Sequence, residues 1–213
     1  MKLEDLKSIV VANFVDDRQN FKITWLSEMP GLAGTLDTFP ALLFNLKSLL
    51  KLGVEKQNVK QDIFKLLSDS AGYYWIESHG QPALIVEVKI QPDAIIVYLL
   101  GKKSDVFGKP PYASDLYEAI LSDSGKSILM SDEYLTDNSF DVWARLLKNG
   151  KTISVYDAKT ADLQKIDSAE ALKSFYHSSG NRFRFILSDS ALKEGTIHAD
   201  FNRFRFRRDN SID

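Results

Sequence analysis

Residues 127–157 read "SILMSDEYLTDNSFDVWARLLKNGKTISVYD" and predict a strand, a loop, a helix and a second strand. The apolar run at 126–131 and the alternating residues at 151–157 are both typical of strands. Between them, Asp137 or Asn138 can cap a helix, and Gly150 can end it. The apolar residues of this helix recur at helical spacing and therefore share one face: Phe140, Trp143, Leu146 and Leu147.

In the first third of the chain, the sequence predicts three helices, with one strand between the first and the second. An amphipathic helix is predicted at 3–14 and a strand at 21–27. Thr38 can cap a helix that begins near Pro40, with the proline in its first turn, and that stops at Gly53. A further helix is predicted from the apolar residues of 59–67, ending before Gly72.

A meander of strands precedes the opening stretch, and a less regular segment follows it. Three strands are predicted at 72–78, 83–90 and 94–101, with a tight hairpin turn at His79-Gly80. A helix at 115–121 then leads into the run at 126–131. Downstream, Asp167 and Glu170 have the spacing of a capping box, which predicts one more helix.

The composition is that of an ordinary globular protein. The 213 residues are 44% hydrophobic and 26% charged, with a formal net charge of −2 and no cysteine. No disulfide framework or thiolate metal site is therefore expected, and no global charge favours nucleic acid. The start has no signal-peptide pattern, and no apolar run reaches the ~20 residues of a membrane helix. These features predict a soluble cytoplasmic protein without membrane association.

The order of these elements resembles the GNAT (GCN5-related N-acetyltransferase) fold across roughly residues 20–190. The best local match is 127–157, where Asn138 and Gly150 lie at positions in which the family commonly has Asn and Gly. The resemblance implies a mixed α/β fold with a central, mostly antiparallel sheet flanked by helices. Because no linker rich in Pro, Gly or Ser is present, a single domain is predicted over 1–213. It comprises an N-terminal helix (1–19), a GNAT-like core (20–157) and a C-terminal helix and strand pair (158–213).

The resemblance also implies a cofactor, acetyl-CoA or another acyl-CoA. In the family, a glycine-containing loop at a helix start binds the pyrophosphate through main-chain N–H groups. The corresponding stretch here is "KKSDVFGKPPYAS", which has a single glycine and two prolines that lack an N–H. Lys102, Lys103 and Lys109 can supply positive charge instead. The residues expected to bind the cofactor are Gly108, Lys109, Tyr112, Ala113 and Ser114.

The catalytic residues implied by the resemblance are incomplete. The family often has a Tyr four residues before the glycine that ends the helix, where it protonates the leaving thiolate. That position is Leu146, whose side chain transfers no proton. The thioester is expected between the strands 94–101 and 126–131. The catalytic candidates near it, without assigned roles, are Tyr98, Asp132, Glu133 and Tyr134.

The pentapeptide "NRFRF" occurs twice, at 181–185 and at 202–206. Its alternation predicts two strands that bury Phe and expose Arg, which is also the ordinary pattern of a half-buried strand pair with a structural role alone. The exposed side would be a basic stripe able to bind a protein or nucleic-acid partner: Arg182, Arg184, Arg203, Arg205, Arg207 and Arg208. The alternative function is therefore a non-catalytic GNAT-fold protein with such a partner. The sequence also resembles divergent GNAT-like proteins of tailed bacteriophages. This resemblance implies a location in an infected host cell.

A third hypothesis is a PD-(D/E)xK nuclease, because Glu87 and Lys89 have the Glu-x-Lys spacing of that class. Such a site requires a further acid from the previous strand, and Glu77 is the nearby candidate. It also requires a helix after the Glu-x-Lys strand, where the sequence predicts another strand. The three histidines are scattered, so no metal site is predicted.

Overall fold

The computed structural model describes residues 38–131, 137–177, 182–190 and 192. The predicted helix at 3–14, the strand at 21–27 and the second NRFRF copy lie outside these residues. The chain divides into two compact units, Met1–Asp132 and Glu133–Asp213. The single domain stays a prediction.

The described part of the first unit is a six-stranded sheet with two α-helices. Helix α1 (Thr38–Lys51) comes first, and helix α2 (Ala113–Ser124) follows a 3-10 turn at Ser104–Val106. The strands pair in chain order, antiparallel except for the last pair, which is parallel. They are β1 (Gln57–Lys60), β2 (Ile63–Leu67), β3 (Ala71–Ser78), β4 (Gln81–Ile90), β5 (Ala94–Lys102) and β6 (Ile128–Met130).

The predicted hairpin turn between β3 and β4 is confirmed. Ser78 pairs with Gln81, so only His79 and Gly80 lie in the turn. Both have positive φ, 53° and 71°. Two consecutive residues with positive φ form the turn whose twist matches that of antiparallel strands.

The helix predicted at 59–67 is wrong, because this segment forms the hairpin of β1 and β2. Asp62 adopts φ 60°, a left-handed conformation that Asp tolerates, and Lys60 pairs with Ile63 across the turn. Periodicity does not separate a helix from a strand in an apolar run as short as "IFKLL". Pairing with β3 decides between them, since it satisfies the backbone groups of β2.

Helices α1 and α2 cover opposite faces of the first sheet. Tyr73 and Tyr74 are neighbours on β3 and therefore point to opposite faces. Tyr73 belongs to the apolar cluster under α1, whereas the Tyr74 hydroxyl donates to Asp123 of α2 at 3.0 Å. Asp123 also accepts from the ammonium of Lys65, whose register partner is Tyr74. The cluster under α1 contains Phe39, Ala41, Leu42, Leu46, Leu49, Leu66, Ala71, Tyr73, Trp75 and Ile85.

The start of α1 approaches β5 so closely that the strand requires a glycine there. A Cβ on Gly101 would lie 2.7 Å from the Cα of Phe39 and 3.0 Å from a methyl carbon of Leu42. Any larger residue would push the helix from the sheet. Gly101 therefore fixes where α1 crosses β5.

The second unit contains three described strands and two helices. Strand β7 (Thr152–Asp157) pairs antiparallel with β8 (Leu163–Ile166) and with β9 (Phe183–Ser188). Helices α3 (Asp137–Lys148) and α4 (Ala169–His177) supply aromatic rings to its core. Trp143 meets Phe185 edge-on at 5.7 Å between ring centroids, and Phe175 meets Phe183 at 5.1 Å. Such edge-to-face pairs stabilise beyond their buried area.

Two details of the second unit differ from prediction. Strand β8 was not predicted, because its four residues carry no marked apolar pattern. The α4 helix is confirmed, but its cap is Ser168, whose hydroxyl accepts from the Ala171 N–H at 3.1 Å. Asp167 pairs with Lys165 instead, at 2.9 Å.

The described chain is a mixed α/β protein with mostly antiparallel strands flanked by helices, which confirms the predicted fold class. The three meandering strands β3 to β5, helix α2 and β6 follow the predicted order, whereas the β1–β2 hairpin takes the place of the helix predicted at 59–67. Among the described helices, none is long and apolar enough to cross a membrane.

Candidate functional site

Strand β5 has a long edge that no described strand of the first unit covers. Its parallel pairing with β6 is limited to three residue pairs and ends where Ile96 meets Met130. Strand β5 nevertheless continues to Lys102. Beyond Ile96, no described strand of the first unit pairs with the outer side of β5, and a strand edge of this kind can bind an extended ligand.

Tyr98 lies on this stretch of β5, where it is the additional residue of a β-bulge opposite β4. Glu87 pairs with Leu99 and Val88 pairs with Val97, so Tyr98 has no register partner on β4. A bulge of this kind redirects a side chain and often lies beside a functional site. The ammonium of Lys89 lies 4.5 Å from the centroid of the Tyr98 ring. This distance is that of a cation–π contact, which holds the ammonium at the ring face.

The loop between β5 and α2 is held against the strand by Lys102. The Lys102 ammonium donates to the carbonyl of Lys109 at 2.5 Å and lies 5.3 Å from the centroid of the Tyr112 ring. Two of the predicted cofactor residues are thus brought to the end of β5 by a lysine that precedes the loop. Along the strand, Tyr98 lies about 13 Å from Lys102, at ~3.3 Å per residue.

The beginning of α2 is suited to an anion. Tyr112 is the N-cap residue, and its side chain makes no cap hydrogen bond. The first N–H groups of a helix carry partial positive charge and attract anions when no side chain caps them. Ala113 and Ser114 are buried in the first turn, and the hydroxyl of Ser114 donates to Asp115 at 3.3 Å. These residues therefore offer main-chain groups rather than side chains.

The loop carries more positive than negative charge. Gly108 has φ 72° with open space around it, and Lys109 is exposed. Lys103 pairs with Asp105 at 2.8 Å, and the hydrogen bond from Lys103 lowers the pKa of that carboxyl. Both side chains are exposed, so this pair is weak and an anionic ligand can compete with it.

Three buried polar side chains that were not predicted from the sequence are linked by hydrogen bonds beside β5. Glu87 is fully buried and accepts a hydrogen bond from the Tyr73 hydroxyl at 3.0 Å. The amide of Asn45, on α1, donates to the same hydroxyl, and its oxygen has no hydrogen-bond partner. The alternation along β4 places Glu87 and Lys89 on one face, but only the packing of α1 makes Glu87 a core residue.

The nuclease constellation is not assembled. Glu87 pairs with Tyr73 across β3 and β4, whereas Glu77 lies at the other end of β3 beside Pro82. The Glu77 carboxylate accepts from Trp75 at 3.1 Å and from Lys56 at 3.2 Å. Among the described residues, no group of three potential metal ligands is found.

The structure gives no environment for the catalytic candidates other than Tyr98. Asp132, Glu133 and Tyr134 lie outside the described residues. Leu146, which the resemblance places where a catalytic tyrosine is expected, is fully buried in α3. Of the four candidates, Tyr98 is therefore the one with a described environment.

Residues 183–185 of the first NRFRF copy begin β9, Arg182 precedes the strand, and the two arginines have different surroundings. Phe185 is fully buried, as the alternation predicts, and Phe183 is partly buried. The guanidinium of Arg182 donates to both carboxylate oxygens of Asp157, at 2.9 and 2.8 Å from Nε. Arg184 donates to the carbonyl of Phe183 at 3.1 Å. The other four arginines of the predicted stripe, Arg203, Arg205, Arg207 and Arg208, lie outside the described residues.

The pair of Arg182 and Asp157 predicts acid-dependent stability. Hydrogen bonds from Arg182 and from the Lys159 N–H lower the pKa of Asp157 to about 2. In an unfolded chain Asp titrates at about 3.9. The carboxylate of Asp157 therefore binds a proton more weakly in the folded state than in the unfolded state. The resulting stabilisation is present above about pH 4 and is lost as the pH falls through about 2. We expect Arg182→Met to lower the denaturant midpoint at neutral pH and much less in strong acid.

Lys165→Met is the matched control, since Lys165 forms an exposed pair with Asp167. Urea unfolding across the acid range measures both variants. A loss for Arg182→Met that is as large in strong acid as at neutral pH would contradict this assignment.

Comparisons with known proteins add little to this geometry. No family model matches the sequence, and no curated protein matches it. Among solved structures, the ribosomal-protein-S18-alanine N-acetyltransferase from Escherichia coli is similar at a TM-score of 0.35 and 10% identity, covering 62% of this chain and 77% of that chain. At this level of similarity, the activity has to be argued from the site itself.

Proposed function

We propose that this chain is an acyl-CoA-dependent N-acyltransferase. The observation that carries the proposal is the arrangement along β5 beyond its described pairing with β6: the Tyr98 bulge lies in the middle of this stretch, and the lysine-bound loop and α2 lie at its end. An acyl-CoA supplies an activated acyl group on a long arm that ends in a negatively charged nucleotide. An extended arm fits a strand edge, and phosphates fit the start of a helix beside lysines.

The residues divide between binding and proton transfer. Main-chain groups at Ala113 and Ser114, with the ammonium of Lys109, would hold the pyrophosphate. Pro110 and Pro111 offer no N–H, so lysine charge replaces part of the main-chain cradle that the family uses. Tyr98 would protonate the thiolate that leaves when an amine attacks the thioester, because Leu146 has no proton to give. Lys89 favours this transfer by stabilising the phenolate.

Calorimetry with acetyl-CoA tests the binding step. We expect micromolar affinity for the wild type and a loss of binding in Gly108→Trp, whose side chain and strained backbone would distort the loop. Gly53→Trp is the matched control: Gly53 also has positive φ, 84°, and open space, but it ends α1. No binding by the folded wild type at millimolar acetyl-CoA would exclude the acetyl-CoA form of the proposal.

The second candidate is a non-catalytic, phage-type protein that binds a protein or nucleic-acid partner through the arginine stripe. The burial of Leu146 where the family has a catalytic tyrosine favours it. Arg182 is engaged with Asp157, so Arg184 and the undescribed arginines would supply most of the contacts. Salt-dependent binding to single-stranded nucleic acid, weakened by Arg203→Gln and Arg205→Gln together, would support this candidate.

A further inference from the structure

Phe107 is held outside the core by the loop that surrounds it. Its side chain is 57% exposed, and the Phe107 N–H donates to the carbonyl of Ser104 at 3.3 Å. The N–H of Lys109 donates to the carbonyl of Val106 at 3.1 Å, which closes a second tight turn over Phe107 and Gly108. Lys102 fixes the far side of these turns through the Lys109 carbonyl. The ring is therefore displayed by an ordered loop.

The chemistry beside this ring is that of a nucleotide site. Lys109 is exposed two residues away, and Gly108 between them leaves open space for a ligand to approach. An exposed aromatic ring beside ammonium groups binds nucleobases by stacking and phosphates by charge. Neither group alone would indicate a nucleotide, but the loop presents both together.

We infer that Phe107 stacks on the base of the donor's nucleotide and that Lys109 faces its phosphates. This inference rests on the proposed function, and it names the part of the donor that the loop recognises. The loop then binds the donor by its nucleotide end, which compensates for the N–H groups that the two prolines remove. A donor without a nucleotide, such as an acyl-pantetheine, lacks the groups that this loop recognises.

Titrations with coenzyme A, ADP and acetyl-pantetheine test the inference. Phe107→Ala should weaken the affinities for coenzyme A and ADP by about five- to 150-fold, the range for loss of one stacked base. It should leave the affinity for acetyl-pantetheine unchanged, and Phe107→Trp should retain the wild-type affinity for ADP. The matched control is Leu52→Ala, because Leu52 is also exposed, at 52%, and lies after α1.

The outcomes separate this inference from the proposed function. If Phe107→Ala binds coenzyme A and ADP as tightly as the wild type, stacking is overturned while the cofactor proposal stands. If the wild type binds ADP through Phe107 but never transfers an acyl group to amines, the nucleotide site stands and the enzyme proposal falls. If the wild type binds neither coenzyme A nor ADP, both are overturned.

Discussion

Glu87→Ala should lower the free energy of unfolding by about 3–5 kcal/mol, the largest stability effect we expect from a single polar residue. Glu87 is fully buried, and the Tyr73 hydroxyl donates to its carboxylate. Truncation leaves that buried hydroxyl without its acceptor, which costs about 1–3 kcal/mol. It also opens a cavity under α1, whose cost adds to the lost hydrogen bond.

Urea unfolding measures this change, with Glu55→Ala as control because Glu55 is exposed. Glu87→Gln should lose much less, since its amide oxygen can still accept from Tyr73. Replacing both partners by apolar residues, with Tyr73→Phe and Glu87→Leu, should cost less than the sum of the two single changes. A Glu87→Ala protein as stable as the Glu55→Ala control would contradict the buried placement of this carboxylate.

Tyr98→Phe should lower the rate of acyl transfer by about 10²- to 10⁴-fold, the usual contribution of a positioned general acid. The substitution removes only the hydroxyl, so the ring remains available to Lys89. Acetyl-CoA affinity and stability should therefore stay close to those of the wild type. Release of free thiol in the presence of a panel of amines, measured under single-turnover conditions, follows the chemical step directly.

A lysine variant and its control test whether the ammonium beside Tyr98 assists the proton transfer. Lys89→Met should reduce the rate less than Tyr98→Phe, because it removes the stabilising charge and keeps the acid. Lys60→Met is its control, since Lys60 is exposed on β1. An unchanged rate in Tyr98→Phe would show that Tyr98 is not the acid, and Tyr134→Phe would then be the next variant to measure.

The sequence by itself determined most of the local structure of the described chain. The glycine in His79-Gly80 and the alternating residues on both sides specify the β3–β4 hairpin, because turn chemistry and side-chain alternation act between near neighbours. The spacing of Phe140 to Leu147 and the glycine after it specify α3 for the same reason. The lysines and prolines of 102–111 also predict an anion site with a reduced main-chain cradle, and this site stays a prediction.

The tertiary structure decided whatever depends on partners far apart in the chain. Residues 57–67 are a hairpin because β3 supplies backbone partners, although their apolar spacing also suits a helix. Glu87 is a core residue because Tyr73, 14 positions away, and the α1 helix enclose it. Lys65 and Asp123 are 58 positions apart in the sequence. They meet because α2 packs on the face of the first sheet opposite to α1. Spacing along a sequence specifies which face a side chain takes, whereas strand register and helix packing determine what it meets there.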